Sequence, residues 1–407
     1  MRTTTICVCS CLVLAFCIVS LARAESAAAP VLADLTPAAA LPGLYVRDGV
    51  LMKDGRAYRG VGANYFSLFS RMIKDPADTT ALANLKALHE AGIPFVRFMC
   101  GGYWPVEQKL YLANREEYFR RLDQVVRAAE ASGTGLIPSL FWYYATAPDA
   151  VGEPVDQYGN PDSKTVALVR RYTAEIVERY KDSPAIWGWE FGNEYNLDAD
   201  LPEHQRYRPA CQPQLGTPKE RTARDELKFP QVRTAYVAFA ETVRKFDRTR
   251  LIISGNAIPR PAAWHNVNEK SWALDTEAQF AEILRRDNPD PMNTISVHLY
   301  RDAKGVYPGG AGSIDGFLGL AMKHAAGAGK PLFLGEFGTD RQAGPREKQQ
   351  AIFEEFLAAI EKHRVPLAAF WVFDYDGQDT DWNVTFRNDR SFMIDLVSRL
   401  NARLGAK

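Results

Sequence analysis

The stretch Ala185-Ile186-Trp187-Gly188-Trp189-Glu190-Phe191-Gly192-Asn193-Glu194-Tyr195-Asn196 decides how the rest of the chain is read. It follows a breaker, Ser183-Pro184, and runs as an apolar, aromatic segment before ending in an amide and a carboxylate. Ile186, Trp187, Trp189 and Phe191 have strand character, and Gly188 and Gly192 let neighbouring backbone approach closely. A buried strand of this kind sets Asn193 and Glu194 at the mouth of an apolar scaffold. Taken alone, the same residues also read as a core strand with a capping Asn and a surface Glu. The flanking segments have to decide.

To either side, apolar runs of strand length alternate with segments of helical periodicity. Strands are expected at residues 59–65, 94–99, 135–142, 185–192, 251–254, 294–300, 331–337 and 366–373. Helices are expected at 79–91, 116–132, 163–180, 229–246, 276–287, 313–328, 345–364 and 391–404. In the first helix Leu82, Leu85 and Leu88 share a face and Gly92 is the stop. Eight strand-then-helix units predict an α/β fold of the (β/α)8 TIM barrel type. The long connections, 100–115, 143–162, 193–228, 255–275 and 374–389, all follow strands, on the face where barrel enzymes build their sites. An open doubly wound sheet is the alternative, but no Gly-rich phosphate loop follows the first strand. Ahead of the barrel, Asp48-Gly49 and Asp54-Gly55 within alternating residues read as a small β-hairpin.

Composition narrows the class. The chain has 407 residues, 46% of them hydrophobic and 24% charged, with no net formal charge. That is the profile of a globular enzyme-sized protein and gives no electrostatic footprint for a nucleic acid. Residues 1–24 have a short positive start, an apolar run from Ile6 to Leu21 and a small-x-small site, Ala22-Arg23-Ala24. They read as a secretory signal peptide, so a secreted or periplasmic protein is expected, with no membrane attachment after cleavage. A retained anchor is the rival reading, but the apolar run is shorter than the ~20 residues of a spanning helix. An Ala/Pro-rich linker is expected over residues 25–41 and a single barrel domain, expected as a monomer, over 42–407. Cys7, Cys9, Cys11 and Cys17 leave with the signal. Cys100 and Cys211 remain, and sequence does not say whether they pair.

Read at the strand ends alone, the chain offers Asn64, Arg97, Trp142, Asn193-Glu194, His298, Tyr300, Glu336 and Trp371. A closed barrel converges these on one mouth. Two carboxylates facing each other among Arg, His, Tyr and Trp side chains are the inventory for cleaving a glycosidic bond. Glu190 differs from Glu194 by an even number of residues, so on an unbulged strand both point to one side. Glu190 then sits deeper and needs a partner, Arg97 or Arg59. Aromatics in the long loops, Tyr65, Phe66, Tyr103, Trp104, Trp142, Tyr143, Trp264 and Trp272, suit stacking on pyranose faces. Trp104, Trp142 and Trp264 are the best candidates. Residues 374–381 superficially resemble a calcium loop, but the Gly is misplaced and Thr385 stands at the twelfth position. A polar loop on the substrate side is the preferred reading.

The set Arg97, Asn193-Glu194, His298-Leu299-Tyr300, Glu336-Phe337-Gly338 and Trp371 resembles glycoside hydrolases of clan A, and family 5 most closely. The resemblance spans roughly residues 45–404. It implies that Glu194 is the general acid/base and Glu336 the nucleophile. It implies also that Arg97 and Tyr300 hold Glu336, Asn193 binds the sugar 2-hydroxyl, His298 lines the site beside Glu194, and Trp371 is the platform under the ring. Retaining enzymes hold the two carboxyl groups about 5 Å apart, so that spacing and net retention are expected. Many family members carry a His at the third strand end, where this chain has Trp142. With the run Trp189 to Glu194, which resembles endo-β-mannanases, that departure favours β-mannan slightly over β-glucan. The expected partner is a β-linked carbohydrate, with no metal and no organic cofactor. A transglycosylase built on the same residues and a non-catalytic carbohydrate-binding barrel are the rivals.

Overall fold

The computed structural model describes residues 41–406 except 102, 301–306 and 309–310. The expected signal peptide, and all of the expected linker but its last residue, lie outside the described residues. Antiparallel strands β1 (Leu44–Arg47), β2 (Val50–Lys53) and β3 (Arg56–Ala57) come first. Asp48, Gly49, Asp54 and Gly55 at their turns all have positive φ, as a two-residue primed turn requires of both central residues.

Eight parallel strands follow: β4 (Gly60–Asn64), β5 (Phe95–Met99), β6 (Gly135–Phe141), β7 (Gly188–Gly192), β8 (Leu251–Ile253), β9 (Ile295–Tyr300), β10 (Leu332–Gly338) and β11 (Leu367–Phe370). Their ladder order is β8-β7-β6-β5-β4-β11-β10-β9. The remaining seam, β8 to β9, is bridged by single bonds rather than a ladder. Asn293 N donates to Ile252 O at 3.2 Å, and Ile258 N donates to His298 O at 3.2 Å. The Ser296 hydroxyl adds a bond to Asn256 O at 3.2 Å. The sheet thus nearly closes into the expected (β/α)8 barrel.

The helices fall where the periodicity places them. The helix Phe229–Phe246 buries Val232, Tyr236, Phe239 and Val243. Ser163 caps the helix Lys164–Tyr180 through Val166 N, and Thr276 opens Glu277–Asp287 with a capping box to Gln279. Inside the barrel Phe95, Ile137, Leu251, Ile253, Phe333 and Leu367 form a core with Leu44 and Leu51 of the hairpin. Leu44 N donates to Trp187 O at 2.9 Å. The hairpin therefore covers the N-terminal end of the barrel, leaving the C-terminal end for polar chemistry. No helix among the described residues is long and apolar enough to cross a membrane.

Three details differ from the sequence reading. The regular part of β7 begins at Gly188, since Ile186 makes only an isolated bridge to Leu136. Strand β11 stops at Phe370, one residue before Trp371. Short helices Leu68–Lys74, Pro105–Ala113, Thr146–Val151 and Ala263–Glu269 occupy connections for which the sequence pattern announces no element. Each is under three turns long, too short for periodicity to announce. Cys100 is buried and Cys211 exposed, and both are free thiols.

Candidate active site

Arg97, on the inward face of β5, is the centre of the mouth. It is fully buried, which for a charged group is tolerable only with partners. Its Nε is shared between Glu190 Oε1 and Oε2, at 2.7 and 2.9 Å. Its Nη1 donates to Asn64 Oδ1 at 2.9 Å and to Glu336 Oε1 at 2.8 Å. Its Nη2 donates to Asn193 Oδ1 at 2.8 Å. The guanidinium lies 4.5 Å above the Trp142 ring. One cation thus orients side chains from β4, β7 and β10. Glu190 takes Arg97 and not Arg59, which instead donates to the carbonyls of Ile360 and Glu361.

Glu336 reaches the mouth because β10 is irregular. The β9–β10 register shifts between Leu334 and Glu336. Leu334 packs in the outer core while Glu336 faces Arg97, although even spacing would put both on one side of a regular strand. Gly335 sits at the shift, and a Cβ there would lie 2.8 Å from His298 Nε2. On β9, Ile295, Val297 and Leu299 pack outward while His298 and Tyr300 point into the mouth. Tyr300 donates its hydroxyl proton to Glu336 Oε2 at 2.6 Å. Both oxygens of Glu336 therefore accept a bond.

Glu194 lies beyond the end of β7, with φ 54° and ψ 27°. The unbulged-strand argument for Glu190 and Glu194 therefore does not apply, because a left-handed turn separates them. Glu190 is buried below, and Glu194 stands half-buried at the rim. Burial pushes the Glu194 carboxyl up to about 7, against the opposing pull of Arg97 and Arg260. His298 Nδ1 lies 3.0 Å from Glu194 Oε1 and 3.6 Å from Glu336 Oε1. Burial lowers His298 to about 3, so the ring is neutral near pH 7. Its Nε2 has no partner among the described residues. Placing the ring proton on Nδ1 lets it donate to the carboxylates and leaves only an acceptor unpaired. The three donor atoms of Glu194, His298 and Glu336 lie within 4.8 Å of one another. They form the one grouping of three metal-type donors among the described residues, and each also takes part in the bonds above.

A cleft of about 820 Å³ opens over this pair. It is lined by Asn193, Glu194, Tyr300, Glu336, Trp371, Trp142 and Trp104, and also by Phe66, Tyr103, Tyr375, Gln378 and Trp382. Trp371 is half-buried, with its indole N–H on Gln378 Oε1 at 2.9 Å. Trp142 is 3% exposed and stacks on Trp371 at 6.1 Å, so it backs the platform more than it offers a face of its own. Tyr103 stacks on Tyr143 at 5.2 Å, with Trp104 edge-on to both.

Trp264 stands apart from this cleft. It lies on the helix after β8, donates its indole N–H to Glu282 Oε2 at 3.1 Å, and does not line the cleft. The short helix in this connection ties Trp264 to a neighbouring helix. Tyr375, Gln378 and Trp382 were missed as individual residues, although their loop was placed on the substrate side. Asp198, in the helical turn after Glu194, was also missed. Burial pushes it up to about 6.

A family model described as cellulase, glycosyl hydrolase family 5, matches residues 58–377. The chain belongs to glycosyl hydrolase family 5. Within the family it resembles a probable mannan endo-1,4-β-mannosidase A-1 of Aspergillus terreus, 39% identical over 82 residues. That match covers 18% of this chain and 21% of the relative, so the chain spans about a fifth of the length of that curated relative. Among solved structures, an endo-1,4-β-mannanase from Rhizomucor miehei superposes with a TM-score of 0.63 at 16% identity. The match covers 90% of this chain and all of that one. An exo-β-1,4-mannosidase from an Opitutaceae bacterium gives 0.61 at 17% identity, over 88% of this chain and 62% of that one. At such identities the likeness shows the barrel fold alone.

Proposed function

We propose that this family 5 protein is a retaining β-glycoside hydrolase acting on a β-linked polysaccharide, with β-mannan favoured over β-glucan. The observation that carries the reading is the carboxylate pair. Oxygens of Glu194 and Glu336 approach within 4.8 Å, closer to the short spacing of a double displacement than to the wide spacing of a single one.

The two environments differ as the two roles require. Glu336 accepts bonds from Arg97 and Tyr300, which hold both of its oxygens in place for attack on the anomeric carbon. Glu194, pushed up to about 7, holds a proton for the leaving oxygen. Attack by Glu336 forms a glycosyl ester as the C–O bond to the leaving group breaks and Glu194 gives up its proton. Glu194 then takes a proton from water, which attacks the ester and frees the sugar. His298 supports Glu194 without competing for the proton, because its Nδ1, the atom facing Glu194, already carries a proton and burial makes the ring a weak base. Asn193 is turned by Arg97 so that its amide N–H groups face the cleft, in position for the 2-hydroxyl.

The mannan preference draws on the mannan-degrading activity of the relatives and on Trp142 at the third barrel strand. Export is proposed on the leader alone. The test is a panel of mannan, glucomannan and β-glucan polymers and oligosaccharides, with product sizing, beside Glu336→Ala. Mannan cleavage lost in the variant supports the reading. Preference for β-glucan overturns the substrate, and unchanged activity in Glu336→Ala overturns the site. Oligosaccharides longer than the substrate would instead mark transfer to sugar over transfer to water.

A further inference from the structure

Gln378 stands on the loop after β11 and has no part in the chemistry above. Its Oε1 lies 2.9 Å from Trp371 Nε1, and the residue lines the cleft beside Trp371, Trp382 and Glu336. An indole N–H only donates, so the amide oxygen must be the atom that faces it. The amide nitrogen is thereby turned away from Trp371, and its two N–H groups have no acceptor among the described residues. The backbone fixes this geometry. Gln378 N donates to Tyr375 O at 2.9 Å, and Gln378 O accepts from Asp381, Trp382 and Asn383 N at 3.0, 2.9 and 2.9 Å. The side chain is half-buried at the wall of the cleft, on a loop with little freedom to turn its donors elsewhere.

We infer that Gln378 binds substrate, donating from Nε2 to a hydroxyl of the glycone sugar that rests on Trp371 while its Oε1 holds that indole in place. The inference rests on the glycosidase reading of the site. Two consequences follow from one amide. The platform and the hydrogen-bond donor move as a unit, so the sugar is read by face and edge together. A glycone substituted at the bonded hydroxyl is excluded, because the substituent would meet a braced loop.

The test uses the full protein and aryl β-mannobiosides, with the ring next to the aryl group intact or lacking its 2-, 3- or 6-hydroxyl. kcat/KM is measured for wild type and Gln378→Met, which keeps the side-chain length and removes both polar atoms. The variant should lose about tenfold on the parent glycoside. One deoxy glycoside should lose a similar factor with wild type and show no further loss with the variant. Equal slowing on the parent and on every deoxy form would overturn the inference, since a residue that only orients Trp371 acts on all of them alike. No change on any substrate would overturn it too. If the variant does not fold, the wild-type 3- and 6-deoxy forms still decide, since Asn193 already claims the 2-hydroxyl: no penalty at either position contradicts a donor from Gln378. A wild type that cleaves none of the glycosides refutes the function itself, an outcome distinct from each of these.

Discussion

Arg97 Nη1 lies 2.8 Å from Glu336 Oε1, inside a guanidinium whose other edge is clamped by Glu190. The cation therefore cannot drift toward one carboxylate without leaving the other. Glu190 acts as an anchor below the floor, and the Arg97 contact to Glu336 carries that rigidity to the reacting oxygen. Preorganised charge of this kind needs no rearrangement during reaction.

Replacing Arg97 should therefore affect folding and chemistry separately. Arg97→Met strands Glu190 in the barrel without a cation, a loss of about 3–5 kcal/mol by analogy with broken buried pairs. Arg97→Lys keeps a charge but not the fork that spans Glu190, Asn64, Glu336 and Asn193. It should fold, with kcat reduced about 100-fold or more and a smaller change in KM. Thermal melts and steady-state kinetics on both variants check this. A lysine variant with wild-type kcat would contradict it.

Tyr300→Phe removes the 2.6 Å bond to Glu336 Oε2 and leaves the ring packed edge-on against Trp382. Stability should change little, and kcat should fall about 10- to 100-fold. A variant that loses stability but keeps its turnover would show that Tyr300 serves packing only.

The pH dependence follows from Glu194. A general acid must be protonated, so kcat/KM should decline as pH rises through about 7, the value to which burial pushes this carboxyl. Stability should move in the same direction. The folded state binds the proton more tightly than the unfolded chain, whose Glu titrates near the ordinary 4.5. The native state therefore loses stability as pH climbs from that value through about 7. In Glu194→Gln the basic limb should vanish with an activated aryl leaving group, and the gain in Tm over wild type should be larger at pH 8 than at pH 5.

Gly335→Ala tests the irregularity in β10. The added Cβ would meet His298 Nε2 at 2.8 Å and Cδ2 at 3.0 Å. Either the ring moves from Glu194 or the strand does, and overpacking of this sort costs about 1–3 kcal/mol. Activity should drop with a displaced basic limb, measured from the pH–rate profile. An unchanged profile at wild-type stability would mean that the site relaxes freely there.

The barrel was legible because each strand is an apolar run that stops at a polar residue and each helix carries a periodic face. Arg97, Asn193, Glu194, His298, Tyr300 and Glu336 stand out for that reason, since they interrupt a pattern. Sequence did not show how Glu194 and Glu336 reach the mouth. One uses a left-handed residue past the strand end, the other a register shift at Gly335, and neither has a periodic signature. Trp264 and Gln378 failed in opposite ways. Both sit in long loops, where composition suggests contact with sugar but only the packed backbone decides which side chains face the cleft.

Double displacement by Glu194 and Glu336, whose oxygens come within 4.8 Å, fixes the configuration of the first product. Proton NMR of the first product released from an aryl β-mannobioside tests it most directly, read before mutarotation. Double displacement releases the β-anomer first. The α-anomer as first product would contradict it.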